Sequence, residues 1–190
     1  MIESAANNNN IPPHNETCSS SSSSCHETFM KRAIELSRQA CSHAHGHNHP
    51  FGALLLDHTT QTIVLEAENT VMTDQDKTKH AELNLCSMAS QKFSRDYLSE
   101  KCTLYTSTEP CIMCTGAIFW VGIGRVVYAC SADKLREIVS RKQHNENEKS
   151  SGSLTIGCHE IFRERSRGLK VEVVGPVLEE EAAAVHEEYW

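Results

Sequence analysis

Apolar and polar positions recur along this chain with two periods, and each period predicts an element. From Thr28, a candidate N-cap, Phe29, Ala33, Ile34, Ala40 and Cys41 fall near helical spacing, with Lys31, Arg32, Glu35 and Arg38 opposite. Pro50 then opens a near-continuous apolar run, Phe51–Leu56, which suits a strand buried on both faces. Residues 57–61 read as a turn and Thr62–Ala67 as the hairpin partner. A polar connection, Thr70–Lys79, leads to a helix starting near His80, with Leu83, Leu85, Cys86, Ala89 and Phe93 as its buried stripe. Cys102–Thr106 reads as a central strand, and Pro110 suits the entry to a helix from Cys111 to about Val121. Ala117, Ile118, Trp120 and Val121 are its expected core. Gly122-Ile123-Gly124 stops that helix, Arg125–Ala129 is a fourth strand, and Ser131 caps a short helix to about Val139. Lys170–Val174 alternates as a half-exposed fifth strand, and Gly175-Pro176 turns into a final acidic helix, Leu178–Tyr189, ending on Trp190. The fold class is α/β: a mixed five-stranded sheet with helices on both faces.

Two stretches carry no period. Residues 1–25, with Asn7–Asn10, Pro12-Pro13 and serines from Ser19 to Ser24, cannot bury enough apolar surface to offset ordering, so this low-complexity segment is expected to be disordered. Residues 141–152 form a polar insertion, expected to be mobile, within a single domain spanning 26–190. The formal net charge of −7 offers no overall basic footprint to a phosphate backbone. A polynucleotide substrate would therefore need a basic partner or a local patch. There is no apolar run of about eighteen residues and no basic-then-apolar leader, so a soluble, cytoplasmic protein with no membrane contact is expected. Nine cysteines, an odd number, read as reduced thiols, with Cys86, Cys102 and Cys130 as small buried hydrophobes.

The candidate chemistry lies in His80-Ala81-Glu82 and, further on, Pro110-Cys111-Ile112-Met113-Cys114. One imidazole and two thiolates three positions apart suit tetrahedral zinc with its fourth position open. Glu82 is close enough to serve a metal-bound water as general acid and base without being a ligand. Taken alone, Glu82 is also a first-turn acid favoured by the helix dipole, and Cys111/Cys114 a redox pair; the combination disfavours both. A closed, non-catalytic zinc module remains the least favoured reading. His43, His45, His47 and His49 form a second histidine-rich stretch, either a metal cluster or, as preferred, a solvated loop. His159-Glu160 reads as ordinary helix surface.

The His-x-Glu and Pro-Cys-x-x-Cys pair is similar to the signature of the cytidine and deoxycytidylate deaminase superfamily. With Pro50-Phe51-Gly52-Ala53, Asn69 and Glu109, the chain most resembles its guanine deaminase and transfer-RNA adenosine deaminase branch, over about residues 26–135. The resemblance implies a three-layer α/β/α cytidine deaminase-like fold and one Zn2+ per chain held by His80, Cys111 and Cys114, with Glu82 catalytic. It also implies a homo-oligomer, a dimer, and substrate contacts from Asn69, Phe51 and Ala81. By its residue type alone, Asn69 equally suits a strand end bonding its own backbone. The implied reaction is hydrolytic deamination of a free nucleobase or nucleoside, purine before pyrimidine. A transfer-RNA adenosine deaminase, or a subunit of one, is the alternative and a cytosine-type enzyme the second. Guanine-acting members carry Phe-Asp-Asp after the fourth strand, where this chain has Ser131-Ala132-Asp133. In bacterial-type members a C-terminal aromatic tail closes over the pocket, the role expected here for Tyr189-Trp190.

Overall fold

The computed structural model describes residues 23–143, 154–163 and 170–190. Helix α1 (Ser23–Ala40) leads into the hairpin β1 (Gly52–Asp57) and β2 (Thr62–Glu68). Then follow α2 (Ala81–Lys92), α3 (Arg95–Lys101), β3 (Cys102–Thr108), α4 (Ile112–Val121), β4 (Arg125–Cys130), α5 (Ala132–Gln143), α6 (Cys158–Arg163), β5 (Glu172–Val174) and α7 (Glu179–Tyr189). The five strands form one sheet in the order β2-β1-β3-β4-β5. β1 is antiparallel to both of its neighbours, and β3, β4 and β5 are parallel.

Every residue of β1 and β3 is buried, because these strands have paired neighbours on both sides and helices on both faces. The strand period sorts their side chains into two cores. Ala53, Leu55, Leu104 and Val126 face Leu85 and Ala89 of α2, Leu98 of α3 and Ile118 of α4. Leu54, Leu56, Tyr105 and Val127 face Met30 and Ile34 of α1, Ile138 of α5 and Val185 of α7. This is the expected three-layer α/β/α arrangement. Each large aliphatic side chain buried in this way contributes roughly 1.5–3 kcal/mol. Gly52 sets how closely α1 can approach, since a methyl group there would lie 2.6 Å from Ala33 O and from Ser37 N. Among the described residues, no helix is long and apolar enough to cross a membrane.

The structure shifts several boundaries. α1 begins at Ser23, inside the serine run and well before Thr28; residues 1–22 lie outside the described residues. α5 continues through residues 141–143, while 144–152 lie outside them. β5 starts only at Glu172. α3 has no counterpart in the periodicity reading: it is seven residues long, buries only Leu98, and is started by Ser94 accepting from Tyr97 N. Trp120, expected in the core, is 78% exposed, because α4 turns Cys114, Thr115 and Ile118 inward instead. Cys86, Cys102 and Cys130 are buried free thiols, as expected. Gly122, at φ 94°, ends α4 and donates its N–H to Ile118 O.

Asp57, the last residue of β1, ties the hairpin turn to α3. Its carboxylate accepts from Thr59 N and Oγ1, from Thr60 N and from Tyr97 Oη. These bonds, that of the Thr59 hydroxyl first, hold its pKa down at about 2. A depressed carboxyl adds stability that is complete above the unfolded value, about 3.8, and is lost as pH falls through the folded one. Wild-type protein should therefore exceed Asp57→Asn in denaturant stability at about pH 5, and the gap should narrow by about pH 3. A gap unchanged between the two would show that the carboxylate is not what ties the turn.

Candidate metal centre and active site

Two helix starts meet beyond the strand ends. His80 is the N-cap of α2 and Cys111 the N-cap of α4, and neither side chain makes a capping hydrogen bond. Both side chains turn instead toward each other and toward Cys114, one turn into α4. His80 Nδ1 lies 3.6 Å from Cys111 Sγ and 3.6 Å from Cys114 Sγ, and the three ligand atoms fall within 4.8 Å of one another. Zinc at about 2.0–2.1 Å from nitrogen and about 2.3 Å from sulfur, with a tetrahedral angle between them, would set those atoms about 3.6 Å apart. The donor set and its spacing therefore fit the metal.

The electrostatics fit it too. Cys111 is held as a thiolate, its pKa lowered to about 4 by the hydrogen bond from Cys114, with His80 adding to the effect. Cys114, fully buried, is pushed up by that same bond and by burial. His80 is raised, chiefly by the Cys111 thiolate. Two thiols and an imidazole thus share protons that a cation would displace, beside the unpaired N–H groups of two helix starts.

Glu82, in the first turn of α2, is 4% exposed. Oε1 lies 3.3 Å from Thr106 Oγ1 on β3, and Oε2 lies 3.7 Å from Cys114 Sγ. Burial, and then the negative charge of Cys111, raise its pKa above the usual carboxylate range.

The expected substrate residues fall around this group. Phe51 lies nearly parallel over His80, with centroids 6.5 Å apart and 11° between the planes. Asn69 is buried, and its backbone N–H donates to Phe51 O. Its Oδ1 accepts from Val71 N, the local bond that suits a strand end, while its Nδ2 has no partner. Ala81 has its side chain in the core, so only its main chain is available to a ligand. Tyr189 and Trp190 rest on His49: Tyr189 Oη is 3.1 Å from His49 Nδ1, and the Trp190 ring stacks on the imidazole at 5.3 Å. His49 has its pKa lowered by burial and then by the charges of Lys77 and His80.

His45 bonds Glu68 and His159 reaches Tyr128 Oη. Among the described residues, His80, Cys111 and Cys114 are the group that can hold a metal ion. Several residues support the site in ways that their sequence context does not announce. Glu109 spans two helix starts, accepting from Ala132 N of α5 and Cys158 N of α6. Thr106 and Thr108 point hydroxyls to Glu82 and His186. Thr106 and Thr108 share the even-numbered face of β3, a period-2 signal that could have located them.

A sheet with helices on both faces thus carries a histidine–dicysteine group beside a buried carboxyl, the donor set and general acid–base of a zinc-dependent hydrolytic site. The model of the cytidine and deoxycytidylate deaminase zinc-binding region matches residues 23–130, and the chain belongs to that family. It is 37% identical to a probable cytosine deaminase of Schizosaccharomyces pombe over 162 residues, 85% of this chain and 90% of that one. It is 42% identical to a Bacillus subtilis guanine deaminase over 104 residues, 55% of this chain and 64% of that enzyme. A solved guanine deaminase from Nitrosomonas europaea shares the fold, with a TM-score of 0.67 at 23% identity over 86% of this chain and 83% of that one.

Proposed function

We propose that this deaminase acts on a free nucleobase or nucleoside, a purine first, replacing an exocyclic amino group by oxygen and releasing ammonia. The observation that carries the reading is the buried Glu82 carboxyl beside His80, Cys111 and Cys114. Those three side chains would hold zinc, whose positive charge would make a water molecule nucleophilic at neutral pH. Glu82 takes the proton that the water loses and returns it to the departing nitrogen. Its raised pKa suits both tasks, since it lets the carboxyl hold a proton between the two transfers. Thr106 fixes the rotamer of the carboxyl. Phe51 offers a flat apolar face beside the metal ligands, and the spare amide of Asn69 a hydrogen bond to a base.

The negative balance of the chain favours a small substrate over transfer RNA. A cytosine-type substrate is the second reading, favoured by the relative that matches 85% of the chain. Assembly as a homodimer belongs to the same proposal, supported by the exposed Trp120; a monomer mass in sedimentation would remove it. The deciding experiment incubates zinc-loaded protein with free bases, nucleosides and nucleotides and follows ammonia. Release from one purine is expected. Release from cytosine alone would move the assignment to the second reading, and silence would end the small-molecule proposal.

A further inference from the structure

α7 belongs to the layer opposite the metal centre, yet it sends one side chain to the site. His186 is 1% exposed, and its Nε2 lies 2.9 Å from Thr108 Oγ1, at the end of β3. Its ring packs on Phe51 with centroids 5.2 Å apart, and Phe51 in turn covers His80. The other ring nitrogen, Nδ1, is buried with no partner. Among the described residues, the buried side-chain atoms in that condition are His58 Nδ1, Asn69 Nδ2 and His186 Nδ1. His58 follows Asp57, at the far end of β1. The other two both attach to Phe51, Asn69 by its N–H to the Phe51 carbonyl and His186 by its ring.

Counting protons fixes the character of the orphan. Burial pushes the pKa of His186 down to about 4, so the ring is neutral at neutral pH and carries one N–H. If Nε2 carried the proton, the Thr108 hydroxyl would accept it and its own hydrogen would be left without an acceptor. If Thr108 donates to Nε2, that contact is complete and the ring proton sits on Nδ1. Nδ1–H is then a buried donor with no protein partner, on a residue that shares Phe51 with Asn69 and its own unpartnered Nδ2. Burying such a donor unpaired is costly, so a partner arriving with a ligand would repay it.

We propose that His186 binds the substrate, its Nδ1–H donating to a carbonyl oxygen or ring nitrogen of the base while Asn69 Nδ2 serves a second acceptor. Two such donors select a base with neighbouring acceptors on one edge. Oxo-bases such as guanine and cytosine present a carbonyl beside a ring nitrogen; adenine has no carbonyl. The inference rests on the reading of the site as a base-binding deaminase centre.

The test compares His186→Gln, whose amide reaches toward Thr108 but loses the Nδ1 donor, with His186→Asn, whose amide nitrogen stands near the place of Nδ1. Steady-state kinetics are measured on the oxo-base that the wild-type protein deaminates, with zinc content and melting temperature measured in parallel. His186→Gln should raise KM about tenfold or more at unchanged zinc content, and His186→Asn should recover part of that loss. An unchanged KM in His186→Gln, or equal losses in both variants that follow a fallen melting temperature, would make His186 a packing residue and overturn this inference alone. A wild-type protein that deaminates adenine in preference to oxo-bases would overturn it too while leaving the deaminase reading intact, and one that deaminates no base would remove both.

Discussion

Glu82→Gln is expected to lower kcat by at least about a thousandfold while leaving the zinc content at the wild-type level. Glutamine keeps the size of the side chain and can still meet Thr106, so the first turn of α2 and the packing around it should survive. What it cannot do is take up a proton and release it. A single general acid or base contributes about 10²–10⁴ in rate, and Glu82 is assigned both transfers. Glu82 is not among the three ligands, so metal analysis should read the same in the variant. Its carboxyl is already disfavoured as a charge by burial, so the melting temperature should hold or rise. Ammonia release and zinc content measured on the same preparation decide the matter. Wild-type turnover in the variant would remove Glu82 from the chemistry, and joint loss of zinc and activity would make it a support of the metal site instead.

The parts of this site that could be read from sequence are those whose chemistry is local or whose period is long. His80-x-Glu82 and Cys111-x-x-Cys114 are short patterns with few uses, and their helix starts could be placed because a polar connection precedes the first and Pro110 the second. β1 was legible because burial on both faces leaves an unbroken apolar run, and β2 because a turn and a half-exposed alternation follow it. α3 was not, since seven residues with one buried side chain show no period. Trp120 was misread because α4 is apolar on all sides, so composition could not say which side faces the sheet. α1 runs into the serine stretch for a related reason: a helix docked on a sheet can extend through residues of weak propensity. His186 was invisible for a deeper reason. It sits in an acidic, alanine-rich helix far along the chain, and only the tertiary fold brings it to Thr108 and Phe51.

Removing one thiolate should remove the metal, and the two cysteines should differ in what else they remove. Cys111 is exposed at the mouth of the site and Cys114 is fully buried beside Glu82. Cys111→Ala should weaken zinc binding on the order of a thousandfold, about a quarter to two fifths of the binding free energy of a structural zinc site, with little other effect on the fold. Cys114→Ala should lose zinc equally and also leave a void under α4, so its metal-free form should be the less stable of the two. Zinc present at about a thousand times its dissociation constant adds about 4 kcal/mol to the stability of the folded chain. The wild-type protein should therefore melt at a lower temperature after chelation, whereas Cys111→Ala should melt alike with and without the chelator. The comparison separates a metal that is held by these three side chains from one that is bound loosely elsewhere. A Cys111→Ala protein that kept one zinc per chain, and with it the response to chelation, would show that the ligand set is not His80, Cys111 and Cys114.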